Sequence, residues 1–330
     1  MPVRTDLVSD EKVAVKLVHI RGDPELLRLE KDIYRDLAGG VGVPEITWFG
    51  EECDYYCLVC ELLGPSLEDL FNYCDRKFSL KTVLLLADQA IARVKHFHDK
   101  GYLHRDFKPE NMLMGSGKRG NILYIIDFGL ARECHDTDRY MGFENIPFGG
   151  TARYASLNNH NGREQSWGDD LESLGYVLLY LARGSLPWQG MEVEDGEDKN
   201  KMIGEMKLTV PVETLCEGLP EEFATYITYT RSLGFQEKPK YAYLRCLFRR
   251  AFSALGFQYD NVFDWTEKLY YELQAEMQDK IQRKIQRDME GELQRDIERL
   301  RLPGDDTSSV KRRTRGTWDE RRHFAIRRTQ

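Results

Sequence analysis

The chain has 330 residues, a formal net charge of −8, 41% hydrophobic residues and 31% charged residues. This balance is typical of a globular protein, and the negative charge argues against a protein that coats nucleic acid. No apolar run reaches the ~18 residues of a membrane span. Seven scattered cysteines and an N-terminal segment without a signal-peptide pattern predict a reducing compartment, the cytoplasm.

A strand and a helix open the chain in a pattern that pairs a lysine with a glutamate. Residues 13–18 alternate as a strand does, with Lys16 among apolar neighbours. Asp23 and Pro24 form a typical helix start, a capping residue followed by proline at the first helical position. Glu30 falls in the apolar stripe of this helix, where an unpaired carboxylate would be costly to bury. We therefore expect Lys16 to pair with Glu30, which would fix the lysine for binding phosphate oxygens.

The next elements are two strands, a break and a long helix. The strands are predicted near 46–50 and 55–60, and the Gly- and Pro-containing stretch 61–65 interrupts the pattern. We interpret that break as a linker between two lobes. A helix is predicted at about 79–98, with Ser79 as its cap.

Two polar motifs flank a predicted hairpin. The stretch "HRDFKPEN" at 104–111 precedes a short strand at 112–114, and a second strand at 123–126 leads into "DFG" at 127–129. The intervening "GSGKRG" at 115–120 matches a glycine-rich nucleotide motif, but it joins two strands and therefore predicts a turn. The hairpin should bring the two polar motifs together.

The residues of these motifs suit phosphoryl transfer. Its transition state spreads charge over phosphoryl oxygens, so catalysis depends on positioning and on charge neutralisation. Asn111 and Asp127 supply the oxygen ligands that Mg²⁺ prefers. Asp106 is spaced to receive a proton from a substrate hydroxyl, and Lys108 can neutralise the γ-phosphate.

With these motifs the chain resembles a eukaryotic protein kinase and, more narrowly, the casein kinase 1 family. The similar stretches cover roughly residues 5–266 and include "ELLGPSLEDLF", "HRDFKPEN", "YIIDFGLAR" and "GTARYASLN". Most kinases carry "APE" where this chain has Ser156, Leu157 and Asn158, and that variant is the subfamily's mark.

The resemblance implies an α+β fold with two lobes. A small strand-rich N-terminal lobe and hinge would occupy residues 1–63, and a large helical lobe residues 64–266. A helical extension would follow at 267–303, and a basic, unstructured tail at 304–330.

The resemblance also implies ATP and Mg²⁺ as cofactors and Ser/Thr-bearing proteins as substrates. Lys16 and Glu30 would anchor the phosphates, and Asp106 would be the base with Lys108 as its partner. In the same way, Asn111 and Asp127 would hold the metal.

The adenine pocket and the supports of the catalytic loop are implied by the same resemblance. Ala14 would touch adenine, and the backbone of Glu61 and Leu63 would bind its edge. Thr151 would bond near the catalytic base, and Asp170 would brace the catalytic loop. The apolar stretch 171–182 predicts a buried helix.

Substrates of the resembled family are acidic or already phosphorylated segments. Arg153 and Lys199 match two of the basic residues that would bind them. Acidic residues surround Lys199, at Glu192, Glu194, Asp195, Glu197 and Asp198. Because like charges repel a phosphate, we expect a reduced preference for phosphorylated peptides. The alternative is an acidic loop that points away from the cleft.

Residues beyond the resemblance leave several alternatives open. The segment 267–301 predicts a helix whose apolar residues step by four, so it either docks partly on the kinase or mediates a dimer or partner contact. The "KRRTR" at 311–315 is either a nuclear-import or anion-binding signal, or part of a plain basic tail. Thr307, Ser308 and Ser309 are candidate self-phosphorylation sites.

The first residues raise an expectation about activity. "VRTDLVSDEKVAVK" resembles the end of a kinase's second strand, its turn and its third strand, so the sequence shows no first strand or glycine-rich loop. Either the sequence starts late or the kinase is truncated, with weaker ATP binding. The alternatives to an active kinase are therefore a pseudokinase or scaffold, and a structural protein whose helical tail is the working part.

Overall fold

The structure is a computed structural model of the chain that describes residues 3–5, 12–134, 145–191 and 198–301. Its internal contacts divide the chain into two compact units, Met1–Tyr271 and Glu272–Gln330. The architecture is α+β, as predicted: a small strand-rich part comes first, and helices make up most of the remainder.

The strand-rich part is one antiparallel sheet with a helix against it. The sheet order is β1-β2-β4-β3, and the elements are β1 (Val3–Thr5), β2 (Lys12–His19), α1 (Pro24–Leu37), β3 (Ile46–Glu52) and β4 (Tyr55–Glu61). The side chain of Asp23 caps α1 and Pro24 is its first residue, which confirms the predicted start. The buried face of α1 carries Glu30 beside Leu27 and Ile33.

Helices form most of the rest of the first unit. They are α2 (Leu67–Tyr73), α3 (Leu80–Asp99), α4 (Leu157–His160), α5 (Trp167–Arg183), α6 (Lys199–Thr209), α7 (Val212–Leu215), α8 (Glu221–Ser232) and α9 (Tyr241–Ala254). Ser79 caps α3 by accepting a hydrogen bond from the Thr82 N–H, as its position in the sequence predicted. Every residue of α5 from Trp167 to Leu181 is buried, which confirms the predicted core helix.

Short strands shape the segment between α3 and α4. They are β5 (Tyr102–Leu103), β6 (Met112–Met114), β7 (Leu123–Ile125) and β8 (Arg132–Glu133). Strands β6 and β7 pair antiparallel, so residues 115–120 form a hairpin connection, as predicted. The Gly64 N–H donates to Met114 O at 2.8 Å and the Met114 N–H to Pro65 O at 3.0 Å, which ties the predicted linker at 61–65 to this hairpin.

The last helix, α10 (Asp264–Arg301), begins three residues before the predicted start and ends where predicted. In the first unit, Asp264 accepts hydrogen bonds from the backbone and hydroxyl of Ser79. In the second unit, exposed apolar side chains recur at every fourth position, at Leu273, Met277, Ile281, Ile285, Met289 and Leu293. None of the described helices is long and apolar enough to cross a membrane.

Several predictions fall on residues that the structure does not describe. These are four of the acidic residues near Lys199, the tail from 304 to 330 with "KRRTR", and Thr307, Ser308 and Ser309.

Candidate active site

One lysine joins two carboxylates from distant parts of the chain. Lys16 Nζ, on β2, lies 2.6 Å from Glu30 Oε2 on α1 and 2.7 Å from Asp127 Oδ1, just after β7. Glu30 is 1% exposed, so its carboxylate depends on this lysine for compensation. The predicted contact between Lys16 and Glu30 is confirmed, and the structure adds Asp127 to it.

Lys16 offsets the charge of both carboxylates, although burial still raises the pKa of Glu30. Burial disfavours the charged form of Asp127, but its hydrogen bond and ion pair with Lys16 hold the pKa of the carboxyl below the ordinary value. Burial likewise opposes the charge on Lys16, yet Glu30 and Asp127 raise the pKa of the ammonium group overall. The Asp127 carboxyl group is therefore anionic at neutral pH.

A second cluster gathers around Asp106, which is 6% exposed. Lys108 Nζ donates to Asp106 Oδ2 at 2.5 Å, and Thr151 Oγ1 donates to Asp106 Oδ1 at 2.7 Å. Asn111 Nδ2 donates to the Asp106 carbonyl at 3.1 Å. Each carboxylate oxygen of Asp106 thus has a fixed donor, and the side chain is held in one orientation.

The backbone joins the two clusters. The Ile126 N–H donates to Asn111 O at 3.0 Å, so the residue before Asp127 is bonded directly to Asn111. The side-chain nitrogen of Asn111 donates to Asp106, so the side-chain oxygen of Asn111 remains as an acceptor. Lys16 contacts Oδ1 of Asp127, so Oδ2 of Asp127 remains as a second acceptor. Two such oxygens suit a hard divalent cation that keeps water and phosphate oxygens as its other ligands. Within the described ranges no group of three His, Cys, Asp or Glu side chains forms a metal site made by protein alone.

Asp170 on α5 braces the loop that carries Asp106. Its carboxylate accepts from the His104 N–H at 2.7 Å and the Arg105 N–H at 2.8 Å, and it lies 3.0 Å from His98 Nε2. Arg105 has a φ of +67°, a left-handed conformation that an ordinary residue adopts only when its surroundings hold it there. The bonds from Asp170 supply that constraint.

Tyr34 on α1 contacts Asp127, and the sequence did not single it out. Its hydroxyl accepts from the Asp127 N–H at 3.0 Å, and its ring meets Phe128 edge-on at a centroid distance of 4.9 Å. It therefore holds Asp127 in place from α1. In the sequence Tyr34 is one more member of an apolar stripe, so no local signal distinguishes it.

The predicted adenine-side residues lie along the end of β2 and β4. Ala14 is buried and sits opposite Cys60 in the sheet. The Glu61 N–H donates to Glu45 O at 3.0 Å, so only its carbonyl could take part in binding a base. Leu63 is half-buried in the linker that follows β4.

A cavity of about 940 Å³ lies between α1, β3 and β7. Its lining includes Tyr34, which contacts Asp127, and Glu61, one of the predicted adenine-side residues, but neither Lys16 nor Asp106.

The two residues predicted to bind substrate anions sit on different elements. The Arg153 guanidinium lies over the rings of Tyr154 and Tyr180, at 5.7 and 5.6 Å from their centroids. Lys199 is exposed in the first turn of α6. Within the described residues neither side chain forms an ion pair, and Arg153 Nη1 donates to the Tyr154 hydroxyl at 3.4 Å. Asp198 caps α6 and accepts from the Asn200 N–H at 2.9 Å.

Comparison with known families gives one match over most of the chain. A family model described as the protein kinase domain matches residues 5–232. The matched range contains Lys16, Glu30, Asp106, Asn111 and Asp127.

Proposed function

Because the chain belongs to the protein kinase family, we propose that it is a serine/threonine kinase of the casein kinase 1 type. In this proposal it transfers the γ-phosphate of ATP to Ser and Thr hydroxyls of protein substrates. The subfamily assignment is supported by the Ser156-Leu157-Asn158 variant and the neighbouring sequence stretches.

The observation that carries the proposal is the arrangement of the two charged clusters. Lys16, Glu30 and Asp127 form one connected group, and Asp106, Lys108 and Asn111 form the other. The hydrogen bond from Ile126 to Asn111 brings them side by side. Positioned charge of this kind is what phosphoryl transfer needs, because its transition state spreads charge over oxygens.

Each side chain then has a role that its contacts support. Asp106 accepts the proton of the substrate hydroxyl, while Thr151 and Lys108 fix its two oxygens. Lys16 binds phosphate oxygens, and Glu30 keeps its flexible stem in place. Asn111 and Asp127 would hold Mg²⁺, which when bound neutralises charge on the phosphates. Ala14 and the backbone of Glu61 and Leu63 would contact adenine.

We also propose how the protein selects its substrates, how it contacts a partner and where it is located. Arg153 and Lys199 would select acidic substrates, since both are cations without a carboxylate partner among the described residues. The exposed apolar row on α10 is the feature that favours a helix-mediated partner or dimer. Localisation in the cytoplasm, and in the nucleus through "KRRTR", is likewise proposed.

Phosphate transfer to casein tests the enzymatic proposal. The full chain is incubated with radiolabelled ATP, Mg²⁺ and casein, beside an Asp127→Asn variant and a tyrosine-only polymer. We expect label on casein Ser and Thr, at least a hundredfold less with the variant, and none on the polymer. Equal labelling by the variant would favour a scaffold or pseudokinase, and labelling of the polymer would overturn the Ser/Thr assignment.

A further inference from the structure

A fully buried lysine on α6 lies outside both catalytic clusters. Lys207 is 0% exposed, which is rare for lysine. Its Nζ donates to Ala152 O at 2.7 Å and to Ala155 O at 2.6 Å, and it lies 3.1 Å from His160 Nε2. Within the described residues no carboxylate forms an ion pair with it. The amine is therefore held by backbone carbonyls of a single segment.

The groups around Lys207 Nζ are hydrogen-bond acceptors and aromatic rings, which suit an amine better than an apolar side chain. Two backbone carbonyl oxygens accept from the Lys207 amine, and the rings of Tyr176 and Trp188 lie 4.8 and 5.1 Å from its Nζ. Burial lowers the pKa of Lys207 well below its usual value. Burying an amine costs free energy that an apolar side chain would not cost. The hydrogen bonds of Lys207 to the carbonyls of Ala152 and Ala155 offset part of that cost.

The segment that Lys207 holds connects the catalytic base to a proposed substrate-binding cation. Ala152 and Ala155 bracket Arg153, and Thr151, which bonds Asp106, comes just before them. Trp188 Nε1 donates to the Arg153 carbonyl at 2.8 Å. Two side chains from the helical part therefore fix three carbonyls, at 152, 153 and 155.

The backbone of Lys207 is held in place by a residue of the neighbouring helix α8. Arg231 Nη2 donates to the Lys207 carbonyl at 3.0 Å and to the Tyr176 hydroxyl at 2.8 Å. At Gly204 a Cβ would lie 2.8 Å from the Cβ of His160, so the glycine lets α6 approach α4 closely. Lys199, the other proposed substrate-binding cation, stands about two turns earlier on this helix.

We propose that Lys207 is a positioning residue that fixes Arg153 and Lys199 relative to each other, and thereby sets the selection of acidic substrates. The inference rests on the proposed function, because it assumes that these two cations bind the substrate. Lys207 itself touches no reacting atom. Its loss should therefore weaken binding of acidic substrates more than it slows phosphate transfer.

Steady-state kinetics of the full chain with Lys207→Met test this. The substrates are a Ser peptide with acidic residues beside the serine and a matched peptide with Gln in their place. Methionine fills the space but cannot donate to the two carbonyls. We expect KM for the acidic peptide to rise about tenfold with kcat within about twofold, and KM for the Gln peptide to stay within about twofold. Lys201→Met makes the same change at an exposed position of α6, and it should alter neither KM.

A second variant keeps the proposal testable if Lys207→Met does not fold. Trp188→Phe retains a ring but removes the bond to the Arg153 carbonyl, and it should raise KM for the acidic peptide in the same selective way. The inference is overturned if the folded variants match the wild type, or if both peptides lose kcat equally. Failure of the wild-type chain to phosphorylate either peptide would instead contradict the proposed function.

Discussion

Lys16 shows how much of the site depends on one side chain. Its ammonium group is the only link that the described residues show between the buried carboxylate of Glu30 and that of Asp127. Without it, Glu30 would be a buried carboxylate that has lost its ion-pair partner, which is unfavourable. Asp127 would also lose the bond that holds its pKa below the ordinary value. A proposed phosphate anchor thus also positions a proposed metal ligand.

Replacing Lys16 with methionine should therefore remove activity. We expect kcat/KM for casein phosphorylation to fall roughly a hundredfold or more, because a positioned charge at the phosphates is lost. Lys12→Met is the matched control, since Lys12 is an exposed lysine on the same strand, and it should stay within about twofold. Initial rates over a range of ATP concentrations measure both. A Lys16→Met enzyme with the wild-type kcat/KM would show that the lysine is not the phosphate anchor.

Helix α5 can pack closely against α8 because it has a glycine at the contact. A Cβ at Gly175 would lie 2.5 Å from Ile227 Cδ1 and 2.9 Å from a ring carbon of Tyr226, closer than real atoms approach. The same helix carries Asp170, which braces the loop that contains Asp106. The close contact of two helices therefore supports the position of the loop.

Gly175→Ala should destabilise the first unit in spite of alanine's higher helix propensity. Overpacking of a tight core costs about 1–3 kcal/mol, against a gain of about 1 kcal/mol from the propensity term. Gly291→Ala on α10 is the matched control, because no atom lies within 4 Å of the added Cβ and only the propensity gain remains. Urea unfolding and far-ultraviolet circular dichroism measure the two effects. If both substitutions stabilised equally, the α5–α8 contact would be looser than described.

For the molecule as a whole, the half-buried His160 and the buried Asp169 respond to acid in opposite directions. Burial and the neighbouring Lys207 lower the pKa of His160 to about 4, from an ordinary value of 6.5. Between those values the unfolded chain binds a proton that the folded chain does not, so stability falls as the pH falls. Burial raises the pKa of Asp169 to about 6, so this carboxyl adds stability as the pH falls below that value.

The pH dependence of His160 can be isolated with His160→Gln. Asp169 titrates in both proteins, so its contribution cancels in the difference between their free energies of unfolding. We expect that difference, wild type minus variant, to decrease from pH 7 to pH 4.5, by at most roughly 1.4 kcal/mol per pH unit. Urea unfolding at a series of pH values gives the curve. A difference that is constant with pH would mean that His160 titrates normally in the folded protein.

Local signals in the sequence were sufficient for several of the elements and for much of the site. Asp23 with Pro24 and Ser79 marked two helix starts, and the structure has both caps. A carboxylate in an apolar stripe was enough to pair Glu30 with Lys16. Such features depend on residues a few positions apart or on the cost of one buried charge, so they can be recognised without the fold.

Tertiary structure alone decided which polar groups acquired partners far along the chain. Lys16 reaches Asp127 across 111 positions, and Lys207 reaches Ala152 across 55. Nothing in the sequence of α6 marks Lys207 as buried, because its carbonyl partners belong to another segment. The sequence by itself thus determined the polar motifs, the first ion pair and the elements with strong local signals, such as α1, α3 and α5. The support of Asp127 by Tyr34 and of the 152–155 carbonyls by Lys207 arose only when packing brought distant groups within hydrogen-bond distance.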